Sequence, residues 1–188
     1  FNPTGTVEET VLFDNEISKI TLKSLEYTDY EAIFNLSIEN KTDGELDYSC
    51  GSVGYCVNSV NGYMVSEGFM NCQVPANTTQ DESFNMSFYS LKQYGIFEIA
   101  DFEIGFSITD EEYNRTYTGP LAVKTSIADG YDYSKHSFAN TAATQAAQNT
   151  YHYNIDYFAA DELYNEGGIR LVTEVLYTND ENEQYLML

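Results

Sequence analysis

The sequence predicts an all-β protein built as an antiparallel β-sandwich, and three observations carry that expectation. Tyr30 to Asn40 reads Y-E-A-I-F-N-L-S-I-E-N, with Tyr30, Ala32, Phe34, Leu36 and Ile38 at even positions and mostly polar residues at odd ones. That period of two is the signature of a strand with one face in a core and one toward water. Turn formers recur at regular intervals along the first 120 or so residues, separating about eight or nine short strands. Helical periodicity is almost absent there, and 17 Tyr and 11 Phe suit pleated, half-buried surfaces. One-faced sheets each need a partner for their apolar side, so two packed sheets are the natural solution.

The elements follow in order. Residues 1–5 read as a frayed lead-in. A first strand over 7–13 ends at Asp14-Asn15. A second covers 17–27, where Ile20 and Leu22 share one parity and Leu25 and Tyr27 the other, so a bulge is expected near Lys23-Ser24. Thr28-Asp29 turns the chain into the central strand, which stops at the turn cluster Asn40-Lys41-Thr42-Asp43-Gly44. Residues 46–60 form a strand broken by Gly51 and Gly54. Val60-Asn61-Gly62-Tyr63 is a strong hairpin signal, because both central residues of such a turn need positive φ. The return strand covers 63–74, and Pro75-Ala76-Asn77 is a loop. Phe84, Met86 and Phe88 alternate with Asn85 and Ser87 in another strand, and residues 90–95 read as one helical turn closed by Gly95. Residues 97–109 carry Phe102, Ile104, Phe106 and Ile108 at a clean period of two. Asp110 to Asn114 is an acidic turn, and 115–125 is the last strand, with Pro120 at an edge or bulge.

Composition shifts after Ser126. Residues 129–150 are small and polar and read as a linker, with a weak helix over 141–148. Apolar residues return at Tyr151, followed by a short helix over 161–164, a strand over 169–177 and a strand over 184–188. Laid without gaps on the stretch from Asn15, the fourteen residues from Asn165 match at four positions: Asn165, Glu166, Tyr177 and Thr178. The expected organisation is therefore a sandwich over 1–127, a linker over 128–162, and over 163–188 the start of a truncated second repeat. Two strands cannot stand alone in water, so 163–188 would add to a sheet edge or pair with another molecule.

Charge and cysteine usage narrow the function classes. Lys and Arg total 8 against 30 Asp and Glu, a net charge of -22, and no Lys or Arg occurs between Lys41 and Lys92. Such a surface repels nucleic acid and anionic lipid, and suits an extracellular setting. No run of eighteen apolar residues is present, so no membrane-spanning helix is expected. Phe1-Asn2-Pro3 is read as following a removed leader. No twelve-residue calcium loop occurs, and the spacing of Cys50, Cys56 and Cys72 fits no zinc motif. If the hairpin turns at Asn61-Gly62, opposed residue numbers sum to about 123 and Cys50 lies near Cys72. A Cys50–Cys72 bridge and three buried free thiols are the competing readings.

The order of landmarks resembles the immunoglobulin-like sandwich domains of uncharacterised lipoproteins and secreted proteins of Gram-positive gut bacteria. The residues that carry the resemblance are Ile38-Glu39-Asn40, Val60-Asn61-Gly62-Tyr63, Pro75-Ala76-Asn77, Ser90-Leu91 with Ile96, and Phe102-Glu103-Ile104-Gly105-Phe106. The resemblance spans roughly residues 7–127. It implies an immunoglobulin-like sandwich, tandem domains, an extracellular or cell-envelope location and a lipid anchor upstream of Phe1, and it brings no catalytic residues.

The search for chemistry yields no catalytic, cofactor-binding or metal site. His136 and His152 fall in or beside the linker, away from any nucleophile motif. Asp81-Glu82 and Asp110-Glu111-Glu112 are read as solvated turn residues. Asp129-Gly130-Tyr131-Asp132-Tyr133 offers oxygen ligands or sugar-stacking rings, but reads first as a plain loop. Asn35, Asn40, Asn77, Asn85 and Asn114 begin Asn-X-Ser/Thr triplets. The expectation is a non-enzymatic envelope or secreted module: a spacer, or a domain that binds an unknown protein or glycan partner. The alternative is a carbohydrate- or peptide-binding module, which needs several Tyr exposed together.

Overall fold

The alternation that predicts strands also decides which faces meet. The computed structural model describes residues 3–51, 58–93, 96–133, 154–167, 169–178 and 184–187. The chain divides into two compact units, Phe1–Leu91 with Ile96–Tyr131, and Lys92–Gly95 with Asp132–Leu188.

In the first unit, β1 (Thr10–Asp14), β2 (Ser18–Tyr27), β3 (Glu31–Asn40) and β8 (Thr79–Ser87) form one antiparallel sheet in the order β1-β2-β3-β8. Along β3 every even residue is buried and every odd one half-buried. Tyr30 is the exception to its even-numbered set: it precedes the strand and is 79% exposed. The β2–β3 register shifts between Leu22 and Ser24, the bulge that the parity change predicts.

The facing layer uses four passes of the chain, each broken once. They are β4 (Leu46–Cys50) with β5 (Asn58–Val60), β6 (Tyr63–Val65) with β7 (Met70–Val74), β9 (Asp101–Ile104) with β10 (Phe106–Asp110), and β11 (Arg115–Tyr117) with β12 (Leu121–Lys124). They give two antiparallel sheets with one strand order, β11-β10-β4-β7 and β12-β9-β5-β6. The predicted tally of eight or nine strands is low for this reason: single passes are interrupted after Cys50, at 66–69, at Gly105 and at 118–120. Asn61 and Gly62 take φ of 51° and 85°, and Val60 pairs with Tyr63, as the Asn-Gly hairpin demands.

Phe34 joins the layers. Its ring stacks on Phe84 of β8 at 4.7 Å and meets Phe102 of β9 edge-on at 4.8 Å. Two polar links cross beside it: Tyr48 donates to Ser18 Oγ at 2.8 Å, and Asn40 Nδ2 donates to the Val74 carbonyl at 2.9 Å. Ile20, Leu36, Ile38, Ile104, Phe106 and Ile108 complete a closed interior. Burying each such side chain is worth about 1.5–3 kcal/mol.

Two local expectations change, and of the two competing cysteine readings the free-thiol one holds for Cys50 and Cys72. Asp81 and Glu82 lie inside β8, not in a turn, because the β3 ladder extends to Glu39↔Thr79. Phe88 begins α1 (Phe88–Gln93) rather than continuing the strand, but stays buried and donates its backbone N–H to the Tyr30 carbonyl. Cys50 and Cys72 are free thiols, Cys50 buried and Cys72 half-buried, while Cys56 lies outside the described residues. Between Cys50 and Asn58 the chain spends three residues more than between Val65 and Met70. The hairpin register slips accordingly, so Cys50 opposes Met70 and Cys72 opposes Tyr48.

In the second unit, β13 (Asn154–Glu166), β14 (Ile169–Thr178) and β15 (Gln184–Met187) form an antiparallel sheet in sequence order. Asp161 to Tyr164 belongs to β13, not to a helix, because β14 supplies its ladder: Asp161 opposes Thr173 and Tyr164 opposes Leu171. Residues 154–162, read as linker, are part of the same strand. The helix expected over 141–148 lies outside the described residues.

Candidate functional site

The residues with chemistry to offer are mostly engaged in holding the fold. His136 and His152 lie outside the described residues. Asp110 ends β10, and Glu111 and Glu112 occupy the turn, as expected. Asp110 accepts from the backbone N–H groups of Glu112 and Asn114 and from Asn114 Nδ2, each at 2.9 Å. The Asn114 bonds hold its carboxyl below the ordinary range. Beside it an open cleft of about 340 Å³ is lined by Thr42, Glu45, Asp110, Glu111, Glu112 and Asn114, among others. Among the described residues, no group of three or more His, Cys, Asp or Glu is placed to hold a metal ion.

The remaining shifted groups are structural as well. Asp14 is lowered first by its bond from Lys41, which ties the β1–β2 turn to the end of β3. Burial raises Tyr27, whose hydroxyl donates to the Gly5 carbonyl at 2.7 Å and anchors the N-terminal segment. Burial likewise raises Tyr48. Cys72 is pushed up to about 12 by burial, and then by the Glu82 and Asp47 carboxylates. A thiol so placed is a poor nucleophile, because the thiolate is the reactive form.

Asp129 and Gly130 sit in a single 3-10 turn over Ala128–Gly130. Tyr131 is half-buried, with its hydroxyl 3.4 Å from Asn61 Nδ2, while Asp132 and Tyr133 are exposed. Asn40 is buried and spends both amide hydrogens on the Gly44 and Val74 carbonyls. Asn77, Asn85 and Asn114 are exposed. Among the described residues of the first unit, the exposed tyrosines do not gather at one place. Tyr30 and Tyr89 lie beside the start of β3, and Tyr113 and Tyr117 lie on the β10–β11 hairpin, which pairs with the start of β4.

The sheet edges differ from one another. A sheet edge offers unpaired backbone groups, and proteins protect such edges with charge, proline, bulges or inward-pointing polar residues. The β1 edge is bulged between Val11 and Phe13. On β8, Gln80 and Glu82 occupy the core-facing parity, opposite Ile38 and Leu36. The β11–β12 edge carries Arg115, Lys124 and the Pro120 gap. The β6–β7 edge carries no Lys, Arg or Pro, and is interrupted at 66–69. Among the described residues β6 pairs with β5 alone and β7 with β4 alone. The single charge in 63–74 is Glu67, whose carboxylate accepts the Ser87 N–H at 3.0 Å. Met64 and Phe69 are 65% and 64% exposed on this edge.

The sequence does not locate this edge. A signal for Met64 is present. The Asn61-Gly62 turn sets Met64 opposite Ser59, on the parity that β5 turns away from the buried Asn58 and Val60. No comparable signal marks Phe69, which lies in the break between β6 and β7.

No family model matches this chain, and no curated protein matches it. Among solved structures, the chain is similar to a target of the Northeast Structural Genomics Consortium, with 12% identity, coverage of 61% of this chain and 90% of that one, and a TM-score of 0.37. It is also similar to chicken MD-1, solved in complex with lipid IVa, with 13% identity, coverage of 63% and 97%, and a TM-score of 0.27. At those scores neither likeness carries an inference about this chain.

Proposed function

We propose that this chain is a non-enzymatic module of the cell envelope or the secreted fraction, a spacer or partner-binding domain of immunoglobulin-like type. The observation that carries the reading is where its perturbed groups are used. Asp14, Asp110, Tyr27 and Tyr48 each bond to a turn, a terminal segment or the opposite layer. Cys72 sits against the interior in a field of carboxylates. Perturbed titrating groups mark active sites when they converge in a cleft, and these are distributed along the scaffold instead.

The immunoglobulin-like type is supported by the strand order. The sheet β1-β2-β3-β8 faces a layer whose four passes run in the order β11/β12, β9/β10, β4/β5, β6/β7. The envelope or extracellular setting is supported by the charge of -22, which favours solubility and disfavours anionic partners. The test is a pull-down from envelope and secreted fractions beside an activity panel of glycosides, esters and peptides. The reading expects a stoichiometric partner and no turnover; turnover that survives purification would remove it. A second reading, binding of a glycan, is favoured by Tyr30 and Tyr89, 79% and 49% exposed at the start of β3. A glycan array with no hit on the intact chain would discard it.

A further inference from the structure

The geometry points to the β6–β7 edge as a docking strand for an extended, basic segment of another protein, which would add as a fifth pass to the second layer. This rests on the reading of the chain as a partner-binding module and names the chemistry of the partner.

Three observations support the choice of edge. The first unit's other three edges carry a bulge, inward-pointing polar side chains, or Arg, Lys and Pro, each of which impedes an incoming strand. The β6–β7 edge carries no Arg, Lys or Pro, and exposes Met64 on β6 and Phe69 in the break just before β7. An added strand has its backbone groups satisfied by the edge and its alternate side chains laid against such apolar anchors.

The charge pattern selects the occupant. Between Lys41 and Lys92 the chain has six carboxylates, Asp43, Glu45, Asp47, Glu67, Asp81 and Glu82, and no Lys or Arg. β7 runs antiparallel to β4, with Gln73 opposite Asp47, and the turn after it leads to Asp81 and Glu82 on β8. A second copy of this chain would bring its own acidic 42–91 stretch, with no Lys or Arg in it to offset the charge, and each copy carries a net charge of -22. Like charges disfavour that pairing and opposite charges favour a basic strand. Charge thus does for this edge what Arg115, Lys124 and Pro120 do for the β11–β12 edge: it blocks self-pairing, while leaving the edge open to a cationic segment.

The test uses the intact, isotope-labelled chain and two synthetic peptides of about twelve residues, one alternating Lys with Val and Thr, the other with Glu in place of Lys. Because the whole chain is acidic, location decides the outcome rather than binding alone. The expected result is slowed hydrogen exchange at backbone amides within 63–74, with the Lys peptide bound at least about tenfold more tightly than the Glu peptide and weakened several-fold by added salt. The double substitution M64S/F69S, at two exposed positions, should leave the melting temperature unchanged and reduce that affinity about tenfold. Protection at 10–14, 79–87 or 115–124 instead, equal binding of the Glu peptide, an unaffected double variant, or no protection at all would each overturn the edge assignment. None of these results bears on the module reading itself, which falls only to measured turnover.

Discussion

Phe34 has two ring partners at once, Phe84 on its own sheet and Phe102 on the other, and no exposed surface. Truncating it removes contacts in both layers and leaves a cavity that rigid strands fill poorly. Phe34→Ala is expected to cost about 3–5 kcal/mol in urea denaturation. Cys72 offers a second test, through pH. In the folded chain its thiol ionises near 12, whereas its ordinary value is 9.0. Folding therefore favours the neutral thiol. The stabilisation is whole below pH 9.0 and is lost as pH rises through about 12. Stability measured by denaturant titration should fall along that alkaline limb, and Cys72→Ser should flatten it. Tyr27 and Tyr48, also raised by burial, keep part of the slope above pH 10.0.

At the scale of elements, the second layer is organised by where its passes break. Gly51 follows β4 at φ 75°, and a Cβ there would lie 2.4 Å from the Gly68 carbonyl oxygen. Both the backbone angle and the close approach require glycine, so Gly51→Ala should destabilise by more than about 1 kcal/mol, read as a lowered midpoint in thermal denaturation. This is also where legibility ends. β3, β9 and β10 are readable because side-chain parity depends on nothing beyond the strand itself, and Phe102, Ile104, Phe106 and Ile108 are all buried as alternation requires. The hairpin tip is readable because Asn61 and Gly62 supply its positive φ locally. The partner of Cys50 is not readable, because Gly51 and Gly54 announce a break but not the three surplus residues that set the register beyond it. Asp81 and Glu82 mislead for a related reason. Acidic neighbours resemble a turn, and only the pairing with β3 makes them an edge strand.

At the scale of the molecule, 30 acidic side chains stand against 8 basic ones, so like charges repel one another. Among the described residues, pairs such as Lys23 with Glu9 at 2.6 Å and Lys41 with Asp14 relieve that repulsion at close range. Raising salt from about 20 to about 300 mM shortens the screening length severalfold, so the melting temperature should rise with salt. A flat or falling trend in calorimetry would mean that self-repulsion is not a large term. In the second unit, strands at 169–178 and 184–187 are legible from their apolar runs, and β13 is not. Its sequence N-I-D-Y-F-A-A-D-E-L-Y-N-E alternates imperfectly, and its register against β14 shifts three times.

The central claim is that two-residue alternation closes two layers over one apolar interior, with Phe34 between them. Proton–proton Overhauser spectroscopy on a Phe-labelled sample tests it most directly. The account predicts cross-peaks from the Phe34 ring to the rings of both Phe84 and Phe102, whose centroids lie 4.7 and 4.8 Å away. Cross-peaks to Phe84 with none to Phe102 would contradict it, since the sheets would then not face each other across this ring.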